Sequence, residues 1–304
     1  MSDTEIHDTP PVCPGSRRTT FRFEKTMCNT AGALVYNEFY GLTESPFNIT
    51  PDPRYLFFSD KHREALDHLV YGVRQRKGFI QLTGEVGSGK TTISRAMLER
   101  LGDNCVTGLI LNPVLSEAQL LRAILKEFEV PRIARDRLTN YDILNEYLLD
   151  RAAEQTEVVL VIDEAQDLSK SLLEQVRLLS NLETDNQKLI QIILIGQPEL
   201  REKLQHPSLR QLRQRITVRY HLGSLNSEET RRYLEHRIAV AGGQGIPYFE
   251  PGAVKRIQSY SNGIPRMVNA LADKALLAGY VHRTERITRR LVRLAEKEIE
   301  GEAA

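Results

Sequence analysis

The chain has 304 residues, of which 41% are hydrophobic and 27% charged, so a disordered or fibrous protein is excluded and an α/β core with a smaller attached domain is possible. Its formal net charge of +1 excludes a general attraction to nucleic acid or to membranes, so such a partner would need a local basic patch. Three cysteines without the spacing of a disulfide framework favour a reducing compartment. The acidic N-terminus lacks a signal-peptide core and no apolar run is long enough to span a membrane, so we expect a cytoplasmic protein.

The chain begins with a segment that predicts little regular structure. Residues 1–36 are rich in Thr, Pro, Ser and charge, and we expect a flexible tail in which Met27 is an alternative start. Prolines between residues 46 and 53 favour an ordered extended segment. A helix is predicted from Lys61 to Gln75, because its leucines and valines fall on one stripe.

Apolar, β-branched runs then alternate with helical patterns. Strands are predicted at 78–83, 106–111, 158–163, 189–195 and 216–220, and helices near 91–102, 116–128, 140–155 and 170–182. Buried strands separated by helices predict a parallel sheet with helices on both faces.

After His221 this alternation stops and only helices are predicted. A capping-box pattern at Asn226–Glu229 opens the first of them, and two more are expected over Pro251–Tyr260 and Pro265–Tyr280. A final helix carries arginines at helical spacing, namely Arg286, Arg289, Arg290 and Arg293. The predicted division is a tail (1–36), an α/β core (37–222), a helical lid (223–283) and a C-terminal helix or tail (284–304).

A phosphate-binding sequence follows the first predicted strand. It fits the pattern G-x-x-x-x-G-K-[ST] and comprises Gly84, Glu85, Val86, Gly87, Ser88, Gly89, Lys90 and Thr91, with Thr92 next in the chain. Such a loop turns backbone N–H groups around phosphates at a helix N-terminus. Lys90 is expected to reach the β- and γ-phosphates, and Thr91 to ligate Mg²⁺. A simple glycine turn is the alternative, but the order strand, loop, helix favours binding of a nucleoside triphosphate.

Two acidic residues end a later buried strand, which is expected to lie beside the phosphate loop. Asp163 is predicted to hold Mg²⁺, and Glu164 to act as the general base toward the attacking water. The alternative is a helix cap that leads into Ala165.

An amide and several arginines complete the candidate catalytic set. Gln197 follows another buried strand and is either a sensor of the γ-phosphate or a turn residue before Pro198. Arginines stabilise the charge that phosphoryl transfer spreads over the phosphate oxygens. Arg213, Arg215 and Arg266 are the candidates, and the alternative for each is an ordinary solvated arginine.

Together these segments resemble the AAA+ ATPases, in the branch related to general secretion pathway protein A and to transposition-regulating ATPases. The resemblance runs from about Tyr40 to Tyr280. Besides the phosphate loop (Walker A) and the acid pair (Walker B), it rests on Phe39–Leu42, Pro51–Leu56, His62–Leu66, Asp163–Gln166, Gly196–Leu200, Gln214–Ile216 and Gly263–Arg266.

The resemblance implies a three-layer P-loop fold with a helical lid, and hydrolysis of ATP with Mg²⁺ at the subunit boundaries of a homo-oligomeric ring or filament. It implies that Arg215, or alternatively Arg213, is a finger acting on a neighbour's nucleotide. Arg266 would be a sensor in cis. The segment from Phe47 to Tyr55 would lie near the adenine, and the alternative is that its prolines and aromatic residues serve only in packing.

Secretion members of this branch continue into a transmembrane helix and a periplasmic region, whereas this sequence stops at Ala304. We therefore expect an anchorless accessory ATPase of a type II secretion, pilus or export system, with an unidentified protein partner. One alternative is a DNA-binding transposition or replication regulator. The arginines of the final helix suit phosphates, but Glu296, Glu298 and Glu300 favour a solvated face. Another alternative is a nucleotide-gated scaffold with little hydrolysis, against which Glu164 counts.

Overall fold

The computed structural model describes residues 36–48, 52–102, 104–111, 113–184 and 187–301. The predicted tail, with Met27, lies outside these ranges except for Tyr36. The strands are β1 (Phe79–Gly84), β2 (Cys105–Ile110), β3 (Glu157–Ile162), β4 (Gln191–Gly196), β5 (Ile216–Leu222), β6 (Tyr248–Phe249) and β7 (Arg286–Ile287). The helices are α1 (Asn37–Tyr40), α2 (Asp60–Arg74), α3 (Lys90–Leu101), α4 (Glu117–Glu127), α5 (Arg137–Ala153), α6 (Lys170–Leu179), α7 (Pro198–Leu204), α8 (Arg210–Arg215), α9 (Ser227–Val240), α10 (Pro251–Ser261), α11 (Pro265–Val281) and α12 (Arg289–Ile299).

Five parallel strands form one sheet in the order β2-β3-β4-β1-β5. β4 lies between β3, which carries the acid pair, and β1, which leads into the phosphate loop, so these two strands are not neighbours in the sheet. All five carboxyl ends share one edge of the sheet, so the residues that follow β1, β3 and β4 still meet there.

The central strands are covered on both faces, as the sequence predicted. In β3, Val158, Leu160 and Ile162 pack into the cluster formed with α4 to α7, whereas Val159 and Val161 pack into the cluster formed with α2 and α3. This alternation follows from the two-residue period of a strand, and two apolar faces require helices on both sides.

The C-terminal helices α9 to α12 form a third apolar cluster, which also takes in side chains from residues 36–57. Tyr40, for example, is fully buried and donates a hydrogen bond to the backbone oxygen of Leu276 at 3.0 Å. The predicted capping box opens α9, with Asn226 and Glu229 each bonded to the other's backbone N–H. This packing joins the start of the described chain to its last helices.

Arg286 does not belong to the final helix, which corrects the sequence prediction. Thr288 caps α12 by accepting a hydrogen bond from the backbone N–H of Leu291 at 3.4 Å, so the helix starts only at Arg289. Arg286 lies instead in β7, where it pairs with Tyr248 of β6. Across the described ranges, no helix combines the length and apolar content that crossing a membrane requires.

Candidate nucleotide-binding site

The loop between β1 and α3 has a backbone that only glycine adopts easily. Gly87 and Gly89 have φ angles of +78° and +100°, in the left-handed region. A Cβ on Gly87 would lie 2.4 Å from Cβ of Arg266, and a Cβ on Gly89 would lie 2.8 Å from Nε2 of His62. The loop is therefore packed closely between α2 and the N-terminal end of α11, and both glycines are needed for that contact.

Lys90 points its ammonium group back into this loop. Its side chain is buried, with the residue 6% exposed, and Nζ donates to the backbone oxygens of Gly84 at 2.8 Å and of Glu85 at 3.0 Å. Burial lowers the pKa of Lys90, while the nearby Glu164 and Asp163 carboxylates act in the opposite direction. A buried ammonium held mainly by carbonyl oxygens is suited to an incoming anion.

Thr91 and Asp163 meet although 72 positions separate them in the chain. Thr91 Oγ1 donates to Asp163 Oδ2 at 2.9 Å, and Asp163 Oδ1 accepts the backbone N–H of Glu164 at 2.9 Å. Both side chains offer the hard oxygen ligands that Mg²⁺ prefers, and one or two carboxylates suffice when phosphates supply the rest. The predicted metal ligands are thus adjacent.

Glu164 is held by two amides. Its Oε2 accepts hydrogen bonds from Gln166 Nε2 at 2.7 Å and from Gln197 Nε2 at 3.3 Å. Gln166 Oε1 in turn accepts the backbone N–H of Gln197 at 3.0 Å, so the backbone at Gln197 holds the Gln166 amide in place. Glu164 has a φ of +50°, which is uncommon for a residue with a side chain and is often found at functional sites. Gln197 therefore contacts the candidate base directly.

A cavity of about 490 Å³ opens beside the loop and extends to α9 and α11. Tyr55 and Arg266, both predicted at the site, line it together with Glu164 and the loop from Val86 to Thr92. The other lining residues are Asn48, Asp52, Leu56, Phe57, His62, Leu225, Tyr233, Arg237, Pro265 and Asn269. Its volume lies in the range of small-molecule sites.

Phe47, one of the residues considered for the adenine or for packing, does not line this cavity. It is only 2% exposed and packs edge to face against Phe249 of β6, with ring centroids 6.1 Å apart. Phe47 takes the packing role that the sequence left open, because the third apolar cluster lies beneath this segment. The next residue, Asn48, lines the cavity instead.

Sequence reasoning missed a chain of polar groups on the lid side of the cavity. Arg237 is 7% exposed, and its Nη1 donates to Tyr233 OH at 3.0 Å, which donates to Asn269 Oδ1 at 2.8 Å. The guanidinium also lies 4.6 Å from the ring centroid of Tyr55. A signal existed, since Arg237 interrupts the apolar stripe of α9 beside Ile238.

The two candidate finger arginines lie at the end of α8, outside the cavity of their own chain. Arg215 Nη1 donates to Ser180 Oγ and to Asn181 Oδ1, each at 2.6 Å. Arg213 is exposed on the same helix. Arg215 is thus bonded to its own subunit, whereas Arg213 is exposed to solvent.

Residues of the phosphate loop fit a bound nucleotide. Ser88 Oγ is buried and has no hydrogen-bond partner among the described residues, although it lies at the cavity wall. Such an orphaned group is costly unless a ligand or water satisfies it. With Lys90, Thr91 and Asp163 beside it, this end of the cavity suits a phosphate chain with Mg²⁺.

The AAA domain family matches residues 73–204, which contain the loop, the acid pair and Gln197. Over 269 residues the chain is 45% identical to general secretion pathway protein A of Aeromonas hydrophila, and the match covers 88% of this chain and 49% of that protein. The chain belongs to the AAA+ family. Within it, this AAA+ protein falls in the branch of general secretion pathway protein A, and it spans about half the length of that relative.

Solved structures agree with this AAA+ fold. The ORC2 protein of Aeropyrum pernix, solved as ADPNP-ADP complexes, superposes with a TM-score of 0.58 at 18% identity and covers 85% of this chain and 72% of its own. The Drosophila ORC bound to DNA gives a TM-score of 0.63 at 15% identity and covers 96% of this chain and 71% of its own. At such low identity the likeness concerns the fold alone, and the predicted α/β/α P-loop fold is confirmed.

His62 gives a test of how α2 supports the loop. It is buried, and its Nε2 lies 3.0 Å from the backbone oxygen of Ser88, so that nitrogen carries the proton and Nδ1 accepts from Ser59 Oγ at 2.7 Å. Burial lowers the pKa of His62. Below about pH 6.5 the unfolded chain therefore binds more protons at His62 than the folded chain does. The contribution of His62 to the free energy of unfolding is fully present above that pH and is lost as the pH falls toward the folded-state pKa.

We therefore expect the free energy of unfolding of the wild type to decrease when the pH is lowered from 7.5 to 5.5. The decrease should be smaller in the His62→Gln variant. Urea unfolding at both pH values measures this. Glu229 raises the pKa of His62 and Lys61 lowers it, and both residues are present in the two proteins. His236, whose pKa is also lowered by burial, is present in both as well, so its titration contributes to both pH dependences. Equal pH dependence in the two proteins would contradict the role of His62.

Proposed function

We propose that this AAA+ protein binds ATP with Mg²⁺ between the core (37–222) and the helical lid (223–283) and hydrolyses it. The observation that carries the proposal is that Lys90, Thr91 and Glu164 line one end of a cavity of about 490 Å³, with Asp163 bonded to Thr91 behind them. These groups supply a cation, two oxygen ligands for a metal and a carboxylate base, which are the parts that phosphoryl transfer requires.

The residues have separate roles in this reaction. Lys90 exchanges its two carbonyl partners for phosphate oxygens, and Thr91 and Asp163 hold Mg²⁺, which neutralises phosphate charge when bound. Glu164 accepts the proton of the attacking water as the new bond to the γ-phosphorus forms and the bond to the bridging β–γ oxygen breaks. The water is thereby made a better nucleophile without leaving a free proton.

Gln166, Gln197 and Arg266 position these groups. The two amides hold one oxygen of Glu164, so the direction in which the base points depends on both. We propose that Gln197 senses the γ-phosphate through this contact. Arg266 lines the cavity and packs on Gly87, so it is the candidate sensor that links the lid to the phosphates.

We further propose that hydrolysis requires a neighbouring subunit, with Arg213 as the finger. The sequence favoured Arg215, but its hydrogen bonds to Ser180 and Asn181 support a role within its own chain. Arg213 is exposed on the same short helix, so its guanidinium is available to a second copy. Among the residues that the structure describes, the Arg213 guanidinium has no hydrogen bond or ion pair to lose, so Arg213 is the less costly residue to present in trans.

Paired variants test this assignment. Arg213→Ala is expected to bind ATP normally and lose turnover by a factor on the order of 100 or more, because a finger stabilises transition-state charge. Arg215→Ala is expected to lose about 1–2 kcal/mol of stability from its missing hydrogen bonds while keeping turnover per folded molecule. Steady-state ATP hydrolysis over a range of protein concentrations, with urea unfolding, measures both.

In the wild type, specific activity should rise with protein concentration as subunits meet. If Arg215→Ala rather than Arg213→Ala lost turnover at unchanged stability, Arg215 would be the finger. Turnover independent of protein concentration in all three proteins would reject the trans mechanism.

We propose that the biological role is that of an accessory ATPase of a type II secretion, pilus or export system. The 45% identity to general secretion pathway protein A supports this, although it extends over 49% of that protein. Deleting the gene should then lower export or piliation, and the wild-type chain should restore it while Glu164→Gln should not.

A further inference from the structure

Four exposed basic side chains share one face of α12. They fall within an arc of about 100°, since an α-helix turns about 100° per residue. The opposite face carries Leu291, Val292 and Ala295, which are buried against the other C-terminal helices. The four basic residues, here called the α12 basic face, are Arg289, Arg290, Arg293 and Lys297.

The acidic residues of α12 do not neutralise this face, contrary to the weight that the sequence gave them. Glu296 is only 5% exposed and binds Arg256 of α10 through both oxygens, at 2.7 and 2.6 Å. Glu298 pairs with Lys274 of α11. Glu300 is the C-cap, beyond the last basic residue. Among the described residues, no carboxylate forms an ion pair with the α12 basic face.

The arrangement determines which polyanion fits. Arg289 and Lys297 are eight residues apart, or about 12 Å along the helix axis, which is about the width of the major groove between phosphate backbones. The face carries no aromatic side chain on which unpaired bases would stack. Leu291, Val292 and Ala295 on the apolar side of α12 are buried, so they are not available to insert into a bilayer interface.

We propose that the α12 basic face binds the phosphate backbone of duplex DNA without reading its sequence. This inference goes beyond the proposed ATPase function and does not rest on it, because the face is separate from the residues that line the cavity. Each arginine that contacts a phosphate releases condensed counterions, so binding must weaken steeply with salt.

The test uses the full chain without nucleotide and a fluorescein-labelled 30-base-pair duplex, followed by fluorescence anisotropy between 50 and 200 mM salt. The variant is Arg289→Gln with Arg293→Gln. The matched control is Arg63→Gln with Arg231→Gln, two exposed arginines that pair with acids elsewhere. Thermal unfolding checks that both variants fold.

We expect saturable, salt-sensitive binding by the wild type and the control, and at least tenfold weaker binding by the α12 variant. The slope of log affinity against log salt should fall in magnitude by about 2, close to 0.9 per lost phosphate contact. Absent wild-type binding, or equal binding by the α12 variant, overturns the proposal. Equal or tighter binding of a single strand also overturns it.

A second experiment tests whether the α12 basic face binds an anionic membrane instead of DNA. Flotation with phosphatidylglycerol vesicles uses the same three proteins, and the α12 variant is expected to behave there as the control does. If the α12 variant lost vesicle binding but kept duplex binding, the face would be assigned to the membrane and the proposal rejected. Because nucleotide is absent throughout, failure of ATP hydrolysis does not affect these outcomes.

Discussion

Lys90→Ala should abolish ATP binding at micromolar nucleotide. In the folded chain the Lys90 ammonium is buried and donates to two backbone oxygens. A phosphate can replace these oxygens as its hydrogen-bond acceptor. Losing charge-assisted hydrogen bonds worth about 1.5–3 kcal/mol each corresponds to an affinity loss on the order of 100-fold or more. Titration with a fluorescent ATP analogue in the presence of Mg²⁺ measures the dissociation constant.

The control is Lys126→Ala, which removes an exposed lysine from α4. It should bind ATP as the wild type does. Urea unfolding separates a binding defect from a folding defect, because Lys90 also fixes the loop backbone. A folded Lys90→Ala protein whose affinity lies within threefold of the wild type would rule out the loop as the phosphate site.

Glu164→Gln should keep ATP affinity while turnover falls by about 10²–10⁴, the usual contribution of a positioned general base. Glutamine has the same shape, and its amide oxygen still accepts the hydrogen bonds that Gln166 and Gln197 donate. It cannot accept a proton from water. Single-turnover hydrolysis and ATP binding, measured on one preparation, separate the two effects.

Glu199→Gln is the matched control for charge. Glu199 lies on α7, is exposed and also acts electrostatically on Lys90, but it does not line the cavity. Its replacement should leave turnover within threefold. If Glu164→Gln hydrolysed ATP as fast as the wild type, Glu164 would not be the base. If the wild type itself bound ATP without turnover, the nucleotide-gated scaffold would be the better function.

Features that depend on neighbouring residues were predictable. The strand, the glycine-rich loop and the helix after it form one continuous segment, in which the glycines and the N-terminal end of α3 already specify an anion site. The β-branched runs predicted the strands to within a few residues, because burial on both faces gives a simple local pattern. Adjacent acids at Asp163 and Glu164 were equally visible.

Positions that depend on distant partners were not predictable. The sequence left open whether Phe47 lies near the adenine or serves in packing, and Phe47 packs on Phe249. Arg286 was expected on α12 and instead pairs with Tyr248. Gln166 is close to the acid pair in the sequence and donates a hydrogen bond to Glu164. The backbone N–H that holds the Gln166 side chain comes from Gln197, 31 positions later. The sequence around a residue does not show which distant residue its side chain will contact in the folded protein.

The sequence by itself determined that this protein has a phosphate loop, an acid pair and a parallel sheet, since backbone conformation and apolar periodicity are set within a few residues. Only the tertiary structure decided which charged side chains are bonded within the chain and which are left exposed to a partner. It tied Arg215 to Ser180 and Asn181 while leaving Arg213 exposed. It likewise paired Glu296 with Arg256, 40 positions away. The physical reason is that electrostatic interactions depend on distances in space, which only folding establishes.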